Sequence, residues 1–405
     1  MIAVRTEPVP SERERRPAAR RPMTRRPMTR RPMALLAAVL FFAGPALAFA
    51  AGDRAVEIEN RRLPEFPALS RGWDAVPEVE AWATAHLPLR RYAVRGNAAL
   101  SEFLFGEAPS YGTADASGYP RVIEGREGWL YFGDDVTEAC RPRRPVGETL
   151  DRLRRLAGIV RGSGRRFVFT VAPDKTTVSP DRLPERFPGR DCLRERKREF
   201  WAALRAANLP GYVDLRLPLE RAQRESGTPA YWRTDSHWNE RSAGLYGAEL
   251  ARALQPGLSR DTRLVKDGRA PRNGDLGGLL GIPVEETVDR WRLVRDGVRR
   301  VRQDDRELPV SFGAVNASDR APLFRPRTLL IGDSFTRNSL PWVLPYFADV
   351  TYLRDDAPAT AGPDRVADKV ARSETVVLEI VERHLVGGRA EMLDDAVLAA
   401  LERAL

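Results

Sequence analysis

Four short apolar runs constrain this chain most: residues 167–171, 328–331, 350–353 and 375–380. Each is strand length and too short for a stable helix. Between and around them the apolar spacing changes to that of amphipathic helices, over residues 149–162, 194–207 and 241–254. In the first of these, Leu150, Leu153, Leu156, Ile159 and Val160 share one side. Short apolar strands alternating with amphipathic helices predict an α/β fold, a parallel sheet with crossover helices. Residues 121–135 read as a hairpin around a polar, glycine-containing turn, and 213–215 as a short strand. Residues 274–281 read as a glycine-rich loop, and 53–115 as a polar, proline-containing lead-in with helical spacing over 78–95. With 405 residues the chain is long enough for one large domain or two ordinary ones. Nothing after residue 60 looks like a linker, so one domain over 53–405 is expected.

The amino terminus is different in kind. Residues 1–33 hold ten arginines and three glutamates and include a short proline-rich repeat. That surplus accounts for most of the net charge of +10 and leaves only +3 on the remaining 372 residues. No broad phosphate-binding face is implied, and no nucleic-acid partner is expected. An apolar run, 34–51, follows the basic segment, with small residues at Ala46, Ala48 and Ala50. This is the pattern of an export signal, and its length also approaches that of a membrane span. Cleavage after Ala48 or Ala50 and retention as an anchor are both compatible with it. Met23, Met28 and Met33 are alternative starts, and Arg30-Arg31 allows a twin-arginine route. Export places the two cysteines, Cys140 and Cys192, in an oxidising compartment, where a disulfide between them is expected. Two unrelated buried thiols are the alternative.

Chemistry concentrates in two places. Leu329-Leu330-Ile331-Gly332-Asp333-Ser334-Phe335 is a buried strand running through a glycine turn into a helix. Such a turn puts Ser334 at the carboxyl end of a parallel strand, where open α/β sheets hold their ligands. It also puts Ser334 at a helix amino terminus, whose free N–H groups can bind an oxyanion. Ser334 is therefore either a nucleophile or merely the helix cap. A nucleophilic serine needs a base, and the chain has three histidines. His86 lies in the lead-in, and His384 follows the last strand. His237 lies in Trp232-Arg233-Thr234-Asp235-Ser236-His237-Trp238-Asn239. On extended backbone Asp235 and His237 project to the same side, so the acid can orient the imidazole. A metal reading of this pair lacks a third ligand nearby, so no metal is expected. Lys175, after a strand, reads as a solvated turn lysine, with contact to substrate as the alternative. Residues 161–164 and 274–281 lack a phosphate-loop lysine and a dinucleotide fingerprint, so no cofactor is expected.

Gly332-Asp333-Ser334-Phe335 together with Asp235-Ser236-His237-Trp238-Asn239 resembles the SGNH-hydrolase-like O-acetyltransferases of the AlgJ/AlgX alginate-acetylation type. Other segments are similar in order: Glu59-Asn60-Arg61 with Pro67, Gly128-Trp129-Leu130-Tyr131, and Ala172-Pro173-Asp174-Lys175 with Pro180-Asp181-Arg182-Leu183-Pro184. Gly274-Asp275-Leu276 and Glu379 with Glu382-Arg383 complete the set, which covers roughly residues 55–390. The resemblance implies an SGNH-like sheet with Asp-x-His ahead of Gly-Asp-Ser in the chain. It implies Ser334 as nucleophile, His237 as base and Asp235 as the orienting acid. The Ser334 N–H is a candidate oxyanion donor, and Asn273, Arg337 and Asn338 are further candidates. The implied enzyme is periplasmic and transfers acetyl to hydroxyls of an exopolysaccharide. Its implied partner is a membrane-bound O-acyltransferase that supplies acetyl. About 70 residues follow Ser334, so no carbohydrate-binding module of the AlgX kind is expected. The same residues would also serve a carbohydrate acetylesterase, and the fold alone could serve a non-catalytic glycan-binding protein.

Overall fold

In the computed structural model the described residues are 119–280, 284–304 and 311–405, with four isolated positions before them. The chain divides into two units, Met1–Ala55 with Glu65–Leu89 and Val56–Pro64 with Arg90–Leu405. In the first, Phe66 and Trp82 meet edge to face with ring centroids 5.0 Å apart. The basic segment, almost all of the apolar run 34–51, His86 and nearly all of the lead-in lie outside the described residues. Among the described residues no helix is long and apolar enough to cross a membrane.

The second unit begins with β1 (Val122–Glu124) and β2 (Leu130–Phe132), an antiparallel pair. Helices α1 (Asp134–Cys140) and α2 (Val146–Gly162) lead to β3 (Arg166–Ala172) and the one-turn α3 (Lys175–Val178). Then come α4 (Arg190–Ala206), β4 (Tyr212–Val213), α5 (Arg216–Ser226) and α6 (Glu240–Leu254). A long hairpin follows, β5 (Thr262–Asn273) and β6 (Glu285–Arg295), with α7 (Asp275–Leu279) inside its loop. Strands β7 (Val298–Asp304), β8 (Ser311–Ser318) and β9 (Thr328–Gly332) precede α8 (Ser334–Val343). The chain ends with β10 (Asp349–Arg354), α9 (Ala357–Ala361), α10 (Pro363–Ala371), β11 (Thr375–Val381), α11 (Glu382–Val386) and α12 (Asp395–Ala404).

The central sheet has the order β4-β3-β11-β9-β10-β8-β7. From β4 to β10 every pairing is parallel; β8 and β7 add an antiparallel edge. Every residue of β9 and β11 is buried, and all of β3 after Arg166. Helices cover both faces of such strands, which is why their sequences are continuously apolar. The helix stripe on α2 does the covering, with Leu150, Leu153, Leu156 and Val160 all buried.

Two expectations change. Residues 274–281 do not form a loop throughout, because Asp275–Leu279 closes into a short helix with Leu276 buried. The strands β5 to β8 also had no counterpart in the sequence reading. Strands β5 to β7 are rich in arginine, β8 is made of small and polar residues around Phe312 and Val315, and no residue of β5 is fully buried. The carboxyl ends of β3, β11 and β9 meet at one rim of the sheet, and the candidate chemistry is gathered there.

Candidate active site

Ser334 is the first residue of α8, and Asp333 is its cap. Asp333 Oδ1 accepts from the Phe335 N–H at 2.8 Å, and Oδ2 accepts from the Val381 N–H at 2.7 Å. One carboxylate thus starts the helix and ties it to the end of β11. The turn also needs Gly332. A Cβ there would lie 2.5 Å from Thr336 Oγ1 and 2.8 Å from Glu379 Oε2. Those two side chains hydrogen-bond each other at 2.7 Å beneath the turn. Burial holds the Glu379 carboxyl well above its ordinary range, and Asp333 adds to the effect.

His237 arrives on the segment between Tyr231 and Trp238, which bridge each other as an isolated antiparallel pair. The flanking residues fix this segment. Trp238 Nε1 donates to Ser339 Oγ at 2.9 Å, and its ring meets Phe335 at 4.9 Å. Asn239 caps α6 by accepting from the Ser242 N–H at 3.0 Å. Tyr231 donates its hydroxyl to the Pro173 carbonyl. Glu286 on β6 accepts from the Thr234 N–H at 2.9 Å and from its hydroxyl at 2.7 Å.

The structure brings Ser334, His237 and Asp235 into one line. His237 Nε2 lies 2.8 Å from Ser334 Oγ, and Nδ1 lies 2.8 Å from Asp235 Oδ1. Asp235 Oδ1 also accepts from the His237 N–H at 2.9 Å. Asp235 and His237 are buried, while Ser334 is half-buried. The second Asp235 oxygen accepts from Arg272 Nη2 at 2.6 Å, and the Arg272 guanidinium lies 3.8 Å from the Trp232 ring centre. A further carboxylate sits beside the imidazole: Asp275 Oδ2 is 3.3 Å from Nδ1. Ser236 holds it there, donating its N–H to Oδ1 at 2.7 Å and its hydroxyl to Oδ2 at 2.5 Å.

These contacts set the charges. Burial pulls His237 down, but its hydrogen bonds to Asp235 and Asp275 outweigh this and push it up to about 9. Burial would raise Asp235, but its bonds to His237 and the Arg272 charge hold it well below the ordinary carboxylate range. A charged acid beside a basic imidazole is the arrangement that stabilises imidazolium during proton transfer.

Lys175 is not a solvated turn residue. It is buried, and its Nζ donates to the carbonyls of Leu130 at 2.6 Å, Arg233 at 2.8 Å and Asp235 at 3.1 Å. It lies over the rings of Trp129 and Tyr131 as well. Burial pulls its pKa down to about 7, against Asp235, Glu286 and Asp275, which pull upward. A lysine beside Asp-x-His looks exposed in sequence because the hairpin that buries it, β1–β2, is distant in the chain. Arg272 and Glu286 escaped notice for the same reason, and Asp275, singled out only within Gly274-Asp275-Leu276, has no role in the sequence reading: each comes from the β5–β6 hairpin or its loop.

The metal reading also changes. Asp235, His237 and Asp275 offer three ligand atoms within 4.8 Å of one another, so a third donor does exist. Both Asp235 oxygens are already occupied, one by His237 and one by a guanidinium that would repel a cation. His384 lies 3.6 Å from Asp355 and forms a second such group with Asp333, whose oxygens are held by backbone N–H groups.

Among the oxyanion candidates, the Ser334 N–H begins a helix, where N–H groups have no intrahelical acceptor. Asn273 is the exposed last residue of β5, and Arg337 and Asn338 are exposed on α8. Among the described residues none of these three hydrogen-bonds the Ser334–His237–Asp235 line. Cys140, at the end of α1, and Cys192, in the first turn of α4, form a disulfide with Cα atoms 5.5 Å apart.

Comparison with known proteins adds a family. A family model described as an SGNH hydrolase-like domain, acetyltransferase AlgX, matches residues 122–376, well over half of the chain. The O-acetyltransferase domain of Pseudomonas putida AlgJ is similar in structure at 19% identity and a TM-score of 0.49, over 71% of this chain and 100% of that one. Bacillus cereus PatB1 is similar at 13% identity and 0.45, over 67% and 98%. Pseudomonas aeruginosa AlgX is similar at 14% and 0.42, over 70% and 65%. No curated protein sequence matches the chain.

Proposed function

This chain belongs to the SGNH hydrolase-like acetyltransferase family of AlgX, and we propose that it moves acetyl groups onto hydroxyls of an exported, alginate-like polysaccharide. The observation that carries the proposal is the continuous line from Asp235 through His237 to Ser334, with both links at 2.8 Å.

In the proposed reaction His237 Nε2 takes the Ser334 hydroxyl proton as Oγ attacks the acetyl carbonyl of a donor. The Ser334 N–H at the start of α8 faces the developing oxyanion. The tetrahedral intermediate collapses, the donor's leaving group departs with the proton from His237, and Ser334 carries the acetyl. A sugar hydroxyl then gives its proton to His237 and attacks the acetyl-serine. Collapse of the second intermediate returns the proton to Ser334 Oγ. Asp235 stays ionised throughout and stabilises the imidazolium, with Arg272 fixing its far oxygen. The proposed setting is the periplasm, with residues 34–51 as signal or anchor and a membrane-bound O-acyltransferase presenting the acetyl donor.

The test uses the exported chain, a chromogenic acetyl ester and an oligosaccharide acceptor, with products read by mass spectrometry. Acetylated oligosaccharide is expected from the wild type. Ser334→Ala and His237→Ala should each lose most of the turnover, and the double variant should lose little more, because such residues act as a unit. Serine-dependent release of free acetate with every acceptor tried would make the protein an esterase. Turnover that survives Ser334→Ala would remove the proposal.

A further inference from the structure

A second feature lies on the same rim of the sheet and takes no part in the chemistry above. It is a cavity of about 560 Å³, well inside the range of small-ligand pockets, roughly 300–1,000 Å³. Its long wall is one face of α4. Arg190, Arg194, Arg198, Trp201 and Arg205 recur there at helical spacing, so they line up along a single stripe. Arg216 and Arg126 also line it. Against these six guanidinium groups the lining holds two carboxylates, Asp181 and Glu185.

Three of the six arginines have partners: Arg194 lies 3.4 Å from Asp191, Arg216 donates to Glu220 at 2.7 Å, and Arg126 donates to the Asp181 carbonyl; the other three do not. Arg190, Arg198 and Arg205 are exposed and make no side-chain hydrogen bond or ion pair among the described residues. The buried Lys197 on the floor is different, since Asp174 accepts from it at 2.7 Å and Glu382 lies 3.5 Å away. Segment 180–187 contributes the apolar Pro180, Leu183, Pro184 and Phe187 as well as the two carboxylates. Guanidinium forks facing apolar side chains suit a ligand with planar carboxylates on rings that also present an apolar C–H face. A uronic-acid sugar has that chemistry.

Position links the cavity to the serine. Thr176 and Thr177 of α3 line it, while Lys175, the preceding residue, holds the Asp235 carbonyl on the other side. Helix α3 follows β3, Ser334 follows β9, and only β11 separates these strands. At the usual strand spacing they stand about 10 Å apart. One glycan chain could therefore lie in both places.

We propose that this arginine-lined cavity binds a uronate-bearing stretch of the acceptor glycan and holds a neighbouring hydroxyl-bearing stretch at Ser334. The inference rests on the acetyltransferase reading for its acceptor, but the site is testable without turnover. The full chain carrying Ser334→Ala would be titrated calorimetrically with an oligouronate and, separately, with a neutral cello-oligosaccharide. The oligouronate should bind, the neutral sugar should not, and added salt should weaken binding. Combining Arg190→Gln, Arg198→Gln and Arg205→Gln should weaken it about tenfold or more. The corresponding lysine triple, with its charge intact, should bind more tightly than the glutamine triple. Thermal midpoints report whether each variant folds, and Arg198→Glu alone serves if the triple does not. Equal affinity of the glutamine triple and the parent, or equal binding of both sugars, would overturn the inference. Oligouronate binding in a protein whose Ser334 form transfers nothing would instead overturn the catalytic reading alone.

Discussion

His237 lies between two carboxylates, and this decides how the site should respond to pH. Its folded pKa of about 9 stands above the ordinary histidine value. The proposed base must be neutral to take the Ser334 proton, so kcat/KM should rise with pH and level off above about 9. Asp275 contributes to the shift but does not bond the far side of the ring. Asp275→Asn should therefore move the rising limb to lower pH while retaining serine-dependent turnover. Stopped or continuous ester assays from pH 6 to 10 would record both profiles. Coincident limbs for the two proteins would show that Asp275 does not set the base. At this scale the sequence is legible where partners are neighbours. Asp235 and His237 are two residues apart, and Gly332, Asp333 and Ser334 are consecutive. The site contacts of Asp275, Arg272 and Lys175 are not legible, because they cross loops whose folding no local spacing announces.

Elements differ in legibility for a related reason. Strands β3, β9 and β11 are buried on both faces and so have sequences that can be nothing else. The β5–β6 hairpin is long but arginine-rich, and its partner is itself, so neither composition nor burial marks it. Yet this hairpin supplies Arg272, Glu286 and the helix that carries Asp275. The turn between β9 and α8 carries the clearest prediction for an element. Gly332→Ala would drive a methyl into the Thr336–Glu379 pair, which is buried and cannot retreat far. Overpacking of this kind costs about 1–3 kcal/mol. It should also shift Ser334 away from His237, so turnover should fall by more than the loss of folded protein explains. Denaturant titration and turnover on the same sample separate the two effects. A variant with wild-type stability and turnover would show that the turn has room to spare.

For the whole molecule, the disulfide is where fold, compartment and site meet. Cys140 ends α1 and Cys192 begins α4, the helix whose arginine face lines the cavity. The bridge spans a sequence separation of 52. Closing a loop of that length removes unfolded-state entropy worth about 4 kcal/mol on the chain-entropy account. In a domain of roughly 290 residues that corresponds to roughly 7 °C in thermal midpoint. Reductant should therefore lower the midpoint of the wild type by an amount of that order. Cys140→Ser/Cys192→Ser should melt near the reduced wild type and ignore reductant. The same experiment bears on location. A chain kept in a reducing cytoplasm would forgo this stabilisation, whereas one exported through residues 34–51 would acquire it as it folds. A midpoint unmoved by reductant, with loss of the bridge verified by mass, would mean that the packing of α1 on α4 carries the load alone. The bridge would then give no physical reason for the fold to need an oxidising compartment.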